Sequence, residues 1–347
     1  MVTVAHFPGN EPTDHNLTTI AQDLITIMNR RMDARNDGRI CTGLESGFDA
    51  LDNNMDGLHG GEICVLAAAP GAGKTTLALN ITLHALTAES KPVVFTALEM
   101  DPKYLLLQLV SMLKNRNGGP KNDVTAQMYF GHNAQYRDQA AQEILEFANR
   151  YEHQLIFANP EDLGNLPRHM AFLAGMNGGG WADANGLLVL DYLQLYTELT
   201  SDPDDRRDFR RQVDAAFRRI RAMTKESGFA TLLISSLSRS SGYDFEKTGL
   251  SQLKESGGIE YNAPSVLLLG PLDESEAEAG IPKPWRRLML KSLKNRMGPT
   301  VNAQLIHQIA TGEIYEVHPG ESIREVASVN PIDATDYSKF QKGRGTK

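Results

Sequence analysis

The sequence predicts an α/β fold, in which a mostly parallel sheet is flanked by helices and closed by a C-terminal β-hairpin. Short apolar runs such as residues 63–68, 92–98 and 187–190 alternate with longer segments whose apolar residues recur every three or four positions. Such runs are typical of strands buried on both faces, and the second pattern is typical of amphipathic helices. Strands that alternate with helices favour parallel βαβ units over an all-β or an all-helical fold.

Length and composition indicate a globular protein. The chain has 347 residues, 41% of them hydrophobic, which is enough for one large or two ordinary domains with a sizeable core. Cys41 and Cys64 are far apart and have no companion histidines, so neither a disulfide framework nor a zinc ribbon is expected. Because there is no long uncharged apolar run and no signal-like N-terminus, we expect a cytoplasmic protein without membrane contact. The formal net charge of −8 does not decide whether a local basic channel binds nucleic acid.

The first predicted helix covers residues 14–34. The apolar residues that recur on one face of it are Leu17, Ile20, Leu24, Met28 and Met32. This face either packs on its own domain or docks on a neighbouring subunit, and periodicity alone does not distinguish the two. Residues 36–61 contain many turn formers and predict a lid-like entry to the strand that follows.

Residues 62–76 carry the motif around which the chain is organised. A buried strand over 63–68 turns through small residues into a helix predicted over 75–85. A loop without bulky side chains lets successive backbone N–H groups point at a polyphosphate, while Lys74 neutralises phosphate oxygens and Thr75 holds Mg²⁺. The predicted nucleotide-binding residues are Pro70, Gly71, Ala72, Gly73, Lys74, Thr75 and Thr76. The first glycine of the usual pattern is Ala68 here, and a turn without a ligand is the alternative.

Two acidic residues follow predicted strands. Glu99 comes directly after the strand over 92–98, and Asp191 ends the most strongly apolar short run of the chain. Ligands bind at the carboxyl ends of the strands in open parallel sheets. Four apolar residues followed by an aspartate form the Walker B pattern, in which the carboxylate orients the Mg²⁺ ligands. An aspartate that only caps a strand-to-helix turn is the alternative.

The remaining elements follow in chain order. Asp101 and Pro102 fit an N-cap followed by proline at the first helical position, which predicts a helix through about Lys114. Further helices are predicted over 140–151, near 163–176 and after the charged loop 201–208, and further strands over 154–158, 229–235, 265–269, 287–293 and 301–307. The last two strands are joined through residues 294–299 as a hairpin.

The helix after residues 201–208 is rich in arginine. Its arginines are Arg206, Arg207, Arg210, Arg211, Arg218, Arg219 and Arg221. A separate apolar stripe consists of Phe209, Val213, Phe217 and Ile220. This arrangement favours an arginine face that is exposed to solvent over one that binds nucleic acid.

Six segments carry a further signal when they are taken in order along the chain. They are 42–44 with 51–52, 66–75, 97–100, 191–195, 253–260 and 294–299. Together they resemble the C-terminal motor domain of replicative DNA helicases of the DnaB family, which has a RecA-like P-loop NTPase fold, from about residue 40 to 318. The resemblance implies a lead-in with a linker helix (1–40), a RecA-like ATPase domain (41–320) and a flexible C-terminal tail (321–347).

The resemblance implies ATP and Mg²⁺ as cofactors and gives roles to residues at matching positions. Glu99 would activate the attacking water as the general base, and Asp191 would act on the Mg²⁺ shell. Arg296, with Lys294 beside it, matches a finger pair that reaches the ATP of an adjacent subunit, so each site would be complete only in a homohexameric ring. The apolar face of the helix over 14–34 would then pack on the next subunit.

The implied activity is that of a DNA helicase that moves 5′ to 3′ along one strand and unwinds the duplex. Lys254, Glu255 and Gly257 match the loop that lines the central channel and contacts single-stranded DNA. A primase or a helicase loader is a further candidate partner. We find no counterpart of the family's N-terminal helical collar, and therefore expect a phage or mobile-element type in a bacterial cell or a phage-infected host.

One departure from the family keeps other functions open. After the first serine at the end of the strand over 229–235, the family has a glutamine that senses the γ-phosphate, and this chain has Ser236. Serine is too short to do the same. A RecA-like oligomeric ATPase that acts as a regulator or recombination factor without unwinding is therefore an alternative, and an inactive partner of a host helicase ring is another.

Overall fold

The computed structural model of the chain describes residues 17–36, 38–116, 134–177, 186–201, 209–237, 245, 248–250, 262–272, 285–296, 298–321 and 326. In these residues the strands are β1 (Ile63–Ala68), β2 (Val93–Ala97), β3 (Leu155–Ala158), β4 (Leu187–Asp191), β5 (Ala230–Ser236), β6 (Ser265–Pro271), β7 (Trp285–Asn295), β8 (Asn302–Gln308) and β9 (Ile314–Val317). The helices are α1 (Leu17–Asn36), α2 (Asp49–Met55), α3 (Lys74–Thr87), α4 (Pro102–Arg116), α5 (Ala134–Tyr151), α6 (Leu166–Asn177), α7 (Leu193–Thr200) and α8 (Phe209–Ser227).

In the described part of the chain the strands form one mixed sheet of nine strands, in the order β3-β2-β4-β5-β1-β6-β7-β8-β9. The strands from β3 to β6 in that order are parallel, and β7, β8 and β9 are added antiparallel. β1 lies near the centre, because its residues are all buried and pair on both sides. This arrangement confirms the predicted fold class, including the hairpin made by β7 and β8.

Helices cover both faces of the sheet. On one face, Leu77 of α3, Leu105 of α4 and Phe147 of α5 pack in one core with the strands. On the other face, Met170 of α6 and Phe217 of α8 pack in a second core. A parallel sheet needs such cover because its strands are apolar on both sides. The layers leave the strand ends as the part of the sheet where polar side chains can meet a ligand.

The segment that precedes β1 is part of the core, and the prediction of a lid-like entry over 36–61 is wrong. Leu44 and Leu51 are each 1% exposed. Leu44 also exchanges backbone hydrogen bonds with Leu58, which closes the segment around α2. The glycines have a packing role here, because a Cβ at Gly43 would lie 2.9 Å from Leu58 O.

Each predicted strand is present, and its bounds lie within about two residues of the prediction, the usual uncertainty at element ends. The predicted cap of α4 is also present, because Lys103 N donates to Asp101 Oδ1 at 2.8 Å. Three short elements were not predicted from the sequence: α2, α7 and β9, which have seven, eight and four residues. Elements this short contain too few repeats for a periodic pattern to identify them.

The apolar face of α1 is exposed. Its residues Leu17, Ile20, Leu24, Met28 and Met32 are between 49% and 84% exposed. Of the two explanations given for this face, packing on its own domain is therefore not supported by the described residues. No helix in the described ranges is long and apolar enough to cross a membrane.

The exposed face of α8 is basic, as predicted. The described arginines Arg210, Arg211, Arg218, Arg219 and Arg221 are exposed, whereas Val213, Phe217 and Ile220 are buried. Exposed arginines are accessible to solvent and to nucleic acid alike, so the preference for a solvated face stays a prediction. Arg206 and Arg207, and the tail predicted from residue 321 apart from 321 and 326, lie outside the described residues.

Candidate functional site

The carboxyl edge of the parallel strands gathers the residues that the sequence assigns to a nucleotide site. β1 continues through residues 69–73, called the phosphate loop below, into α3. β4 ends at Asp191, and Glu99 follows the neighbouring strand β2. In the register of these two strands Ala97 is the partner of Asp191. The loop and both acids therefore lie at one edge, where ligands bind in open α/β sheets.

Two glycines shape the phosphate loop. Gly71 and Gly73 have φ values of 73° and 99°, a region that side-chain-bearing residues adopt only with strain. A Cβ at Gly71 would meet no atom within 4 Å, so that side of the loop is open. Gly73 is the N-cap of α3, whose first residue is Lys74. The unpaired N–H groups and the positive end of the helix dipole face the loop, which suits a phosphate.

Lys74 is held at the phosphate loop by two backbone carbonyls. Its Nζ donates hydrogen bonds to Ala68 O at 3.1 Å and to Ala69 O at 3.0 Å. Burial lowers the pKa of Lys74, and the charges of Asp191 and Glu99 act in the opposite direction. A half-buried ammonium group with neutral partners is suited to bind the anionic oxygens of a polyphosphate.

Thr75 and Asp191 are in direct contact. Thr75 Oγ1 donates a hydrogen bond to Asp191 Oδ2 at 2.6 Å. The backbone N of Asp191 donates to Thr96 Oγ1 at 3.0 Å, which fixes the end of β4 against β2. Asp191 is 4% exposed, and this burial raises the pKa of its carboxyl to about 6. The Thr75 hydrogen bond and the Lys74 charge oppose the shift, and the Glu99 charge adds to it.

The donor set of Thr75 and Asp191 fits Mg²⁺. Hydroxyl and carboxylate oxygens are hard donors, and protein-bound Mg²⁺ usually keeps several waters and shares substrate phosphates. Across the described ranges no group of three or more His, Cys, Asp and Glu residues could hold a metal by itself. One hydroxyl and one carboxylate beside a phosphate loop are typical of an ion that is bound together with a nucleotide.

Glu99 is exposed at the same edge. Its charge acts on both Lys74 and Asp191, so its carboxylate lies in their electrostatic neighbourhood. A general base acts on a water molecule that lies between its carboxylate and the phosphate, and an exposed carboxylate is accessible to water. The structure brings Glu99 to the site, and its role as general base stays a prediction.

Lys294 and Arg296 lie at the opposite edge of the sheet. β7 runs antiparallel to β6, and Asn295 pairs with Ser265, which pairs in turn with Cys64 near the start of β1. Arg296, the next residue, is exposed there. The structure therefore does not bring the predicted finger pair to the phosphate loop of its own chain.

The end of β5, where the sequence has Ser236, is tied to the start of α7. Ser236 N donates to Gln194 Oε1 at 3.3 Å, and Gln194 Nε2 donates to Ser235 Oγ at 3.1 Å. A glutamine side chain thus lies at this strand end, although it comes from α7.

The predicted DNA-contacting residues Lys254, Glu255 and Gly257 fall in the stretch 251–261, outside the described residues. Their role stays a prediction. The chain that follows the stretch is part of the domain body, because Ala263, just before β6, is fully buried.

One basic residue at the phosphate loop was not predicted from the sequence. Arg286, near the start of β7, donates a hydrogen bond from Nη1 to Gly71 O at 3.0 Å. Its Nη2 lies 3.4 Å from His307 Nδ1 on the neighbouring strand β8. No sequence motif marks Arg286, because the contact joins positions 215 residues apart and depends on β6 lying between β1 and β7.

Comparison with known families gives one match over most of the chain. The family described as DnaB-like helicase C terminal domain matches residues 43–315. The matched range includes the phosphate loop, Glu99, Asp191 and the strand that ends before Arg296. The match therefore covers both edges of the sheet at which candidate site residues lie.

Comparison with curated proteins gives relatives named replicative DNA helicase DnaB. The one from Helicobacter pylori strain J99 is 26% identical over 308 residues, which cover 86% of this chain and 58% of the relative. The one from Buchnera aphidicola subsp. Schizaphis graminum is 25% identical over 262 residues, which cover 73% of this chain and 51% of the relative. The chain thus spans about half the length of the curated relatives that it matches.

Comparison with solved structures agrees on the fold. A DnaB-like replicative helicase, described together with its interactions with primase, superposes with a TM-score of 0.65 at 20% identity, covering 89% of this chain and 68% of that one. A second solved structure, described as an ATPase domain, gives a TM-score of 0.65 at 22% identity. The superposition covers 86% of this chain and 99% of that one. The architecture of the chain is thus that of the RecA-like ATPase domains of these proteins.

Proposed function

The chain belongs to the family of DnaB-like helicase C-terminal domains, and on this premise we propose that it is the motor of an ATP-dependent replicative DNA helicase. In this proposal six copies form a ring around one DNA strand. The ring hydrolyses ATP at the boundaries between subunits, moves 5′ to 3′ and unwinds the duplex. Its cofactors are ATP and Mg²⁺.

The observation that carries the proposal is the division of candidate site residues between two edges of the sheet. The phosphate loop, the Thr75–Asp191 pair and Glu99 are at the carboxyl edge. Arg296 is exposed at the opposite edge. A guanidinium placed there suits action on the pocket of a neighbouring copy, and repetition of that contact around a closed symmetry axis gives a ring.

Each residue of the proposed site has one task. Lys74 binds the β- and γ-phosphate oxygens, and Thr75 and Asp191 hold Mg²⁺, which supplies positive charge to the phosphates when it is bound. Glu99 orients the attacking water and accepts its proton. Arg296 of the next subunit, with Lys294 beside it, stabilises the charge that develops on the γ-phosphate.

The exposed face of α1 supports an assembly of this kind. A soluble domain rarely leaves a row of five large apolar side chains on one helix without a partner. We propose that α1 packs on the adjacent subunit and that the channel loop with Lys254, Glu255 and Gly257 grips the DNA backbone inside the ring. A primase or a helicase loader is a further proposed partner, in keeping with the solved DnaB-like helicase described with primase.

The proposal is tested by unwinding of a forked duplex. The full chain is incubated with ATP, Mg²⁺ and a labelled fork, and strand separation is followed while electron microscopy records the assembly. We expect rings of six copies and ATP-dependent separation that needs a free 5′ tail. ATP hydrolysis by assembled rings without strand separation would contradict the helicase function.

A second function is favoured by one observation, the serine at position 236. Because Ser236 cannot take over the task of a γ-phosphate-sensing glutamine, an oligomeric ATPase that regulates or recombines without unwinding is the competing proposal. This competing function would show ATP-dependent assembly and a rate of ATP hydrolysis that single-stranded DNA does not change. A partner that is active only in mixed rings with a host helicase would show no hydrolysis alone.

A further inference from the structure

Arg286 joins the phosphate loop to the antiparallel part of the sheet. Its guanidinium donates from Nη1 to Gly71 O at 3.0 Å, and its Nη2 lies 3.4 Å from His307 Nδ1. A Cβ at Gly73 would lie 3.1 Å from the same Nη2. One side chain of β7 therefore reaches both glycines that give the loop its curvature.

This contact is kept at an electrostatic cost. Arg286 is half-buried, its Nε is buried without a hydrogen-bond partner in the described structure, and burial lowers the pKa of the guanidinium. Desolvation penalises a charged group unless nearby groups compensate it. His307 stays neutral, because burial and the Arg286 charge lower the pKa of its imidazole to about 4. A neutral Nδ1 is able to accept the hydrogen bond from Nη2.

The guanidinium of Arg286 contacts the phosphate loop through a backbone carbonyl, Gly71 O. In a loop that binds phosphate, successive backbone N–H groups point toward the anion. A side chain bonded to Gly71 O therefore acts on the backbone whose N–H groups receive the anion. Lys74 takes the separate role of the cation in contact with phosphate.

We propose that Arg286 is a positioning residue of the nucleotide site, which holds the phosphate loop in the curvature that presents its N–H groups to the phosphates. This inference rests on the proposed function, because it takes the loop as a site for ATP. The effect falls on nucleotide binding and not on bond cleavage, since the hydrogen bonds of Arg286 go to Gly71 and His307 and not to Thr75, Asp191 or Glu99.

A purely structural role is the competing explanation. In that case Arg286 only links β7 to β8 through His307, and its removal lowers stability without a specific effect on ATP. The two roles differ in what they change. Positioning of the loop changes the KM for ATP, whereas a structural link changes the unfolding midpoint.

The test compares the full chain carrying Arg286→Ala, Arg286→Lys or Arg287→Ala with the unchanged protein and with Lys74→Ala. Arg287 is the matched control, because it is the same residue type at the next position of β7, where the side chain points to the other face of the sheet. The measurements are the Kd of a fluorescent ATP analogue, kcat and KM for ATP hydrolysis, and the unfolding midpoint without nucleotide.

We expect Arg286→Ala to raise Kd and KM about tenfold, the effect of losing one charge-assisted hydrogen bond. The kcat at saturating ATP and the unfolding midpoint should stay close to those of the unchanged protein. Arg286→Lys should recover part of the loss, because an ammonium can bind Gly71 O but cannot bridge it to His307. Arg287→Ala should leave the affinity for ATP unchanged.

Equal affinities of Arg286→Ala and the unchanged protein would overturn the inference and leave the proposed function standing. A fall in kcat at constant KM, or an equal loss in Arg287→Ala, would overturn it too. If Arg286→Ala does not fold, the lysine variant decides: a raised KM at a normal midpoint supports positioning, and a normal KM contradicts it. If the unchanged protein binds the analogue no better than Lys74→Ala, the proposed function itself fails.

Discussion

The two ends of β7 differ in how they are held. At the amino end, Arg286 is half-buried and bonded to Gly71 and His307 of its own chain. At the carboxyl end, ten residues and about 33 Å along the strand, Arg296 is exposed at the opposite edge of the sheet. A side chain that acts within its own subunit is fixed by the packing of that subunit. One that acts on a neighbour, as we propose for Arg296, stays at the surface until subunits meet.

The largest expected effect on ATP binding is at the phosphate loop itself. Lys74→Ala should weaken ATP binding by more than about 100-fold, because it removes the only side-chain cation that we assign to phosphate within one subunit. Isothermal titration with a non-hydrolysable analogue checks this, with Lys225→Ala on the exposed face of α8 as the control. Normal ATP binding by Lys74→Ala would contradict the assignment of Lys74 to the phosphates.

At the same edge of the sheet, Glu99→Gln should slow ATP hydrolysis and leave ATP binding nearly unchanged. The amide keeps the size of the side chain but cannot accept a proton, so kcat should fall about 10²- to 10⁴-fold. The Kd for ATP should change by less than about threefold. Single-turnover hydrolysis is the measurement. The control is Glu161→Gln, because Glu161 is an exposed glutamate in the 3₁₀ turn Pro160–Asn165 that precedes α6. Hydrolysis at the normal rate would remove Glu99 from the mechanism.

Arg296→Ala tests whether the residue at the carboxyl end of β7 acts on the neighbouring subunit. Hydrolysis by assembled rings should fall about 10²- to 10³-fold, with ATP binding retained, because each pocket loses the guanidinium of its neighbour. Mixed rings provide the decisive control. Lys74→Ala subunits keep Arg296, so mixing them with Arg296→Ala subunits should restore part of the hydrolysis. No recovery in mixed rings that are seen to assemble would contradict action across the boundary.

His307→Asn tests the amino end of β7 through its pH dependence. The pKa of His307 is lowered from 6.5 to about 4, so between these values the unfolded chain binds a proton that the folded chain does not. The free energy of unfolding should therefore decrease as the pH falls from 6.5 to 4. Replacement by asparagine should remove on the order of 2 kcal/mol of this decrease. Urea unfolding of both proteins at several pH values measures this decrease. An equal decrease in the unchanged protein and in His307→Asn would contradict the prediction.

The smallest effect is expected from Lys254→Ala, which concerns neither end of β7. Removal of one phosphate contact should weaken single-stranded DNA binding about five- to tenfold and lower the slope of log K against log salt by about 1. Hydrolysis without DNA should stay unchanged. Fluorescence anisotropy over a salt series measures both quantities. An unchanged slope would remove Lys254 from the DNA contact.

Much of the fold could be predicted because its signals are contiguous in the sequence. β1 and the part of β4 before Asp191 are uninterrupted apolar runs, and both strands are buried at every position. The burial of Leu44 and Leu51 could not be predicted, since turn formers around α2 pack closely on the core instead of lying at the surface. Side-chain volume and backbone approach, which a propensity does not contain, decide that difference.

The candidate site divides in the same way. The sequence alone determined the phosphate loop, since the glycines, Lys74 and Thr75 that shape it are consecutive and act through local backbone geometry. It also marked Glu99 and Asp191, because each follows an apolar run. Only the tertiary structure decided that Thr75 meets Asp191, that Arg286 bonds to Gly71 and that Arg296 lies at the far edge. Strand order and register set these distances, and both depend on packing between segments that are remote in the chain.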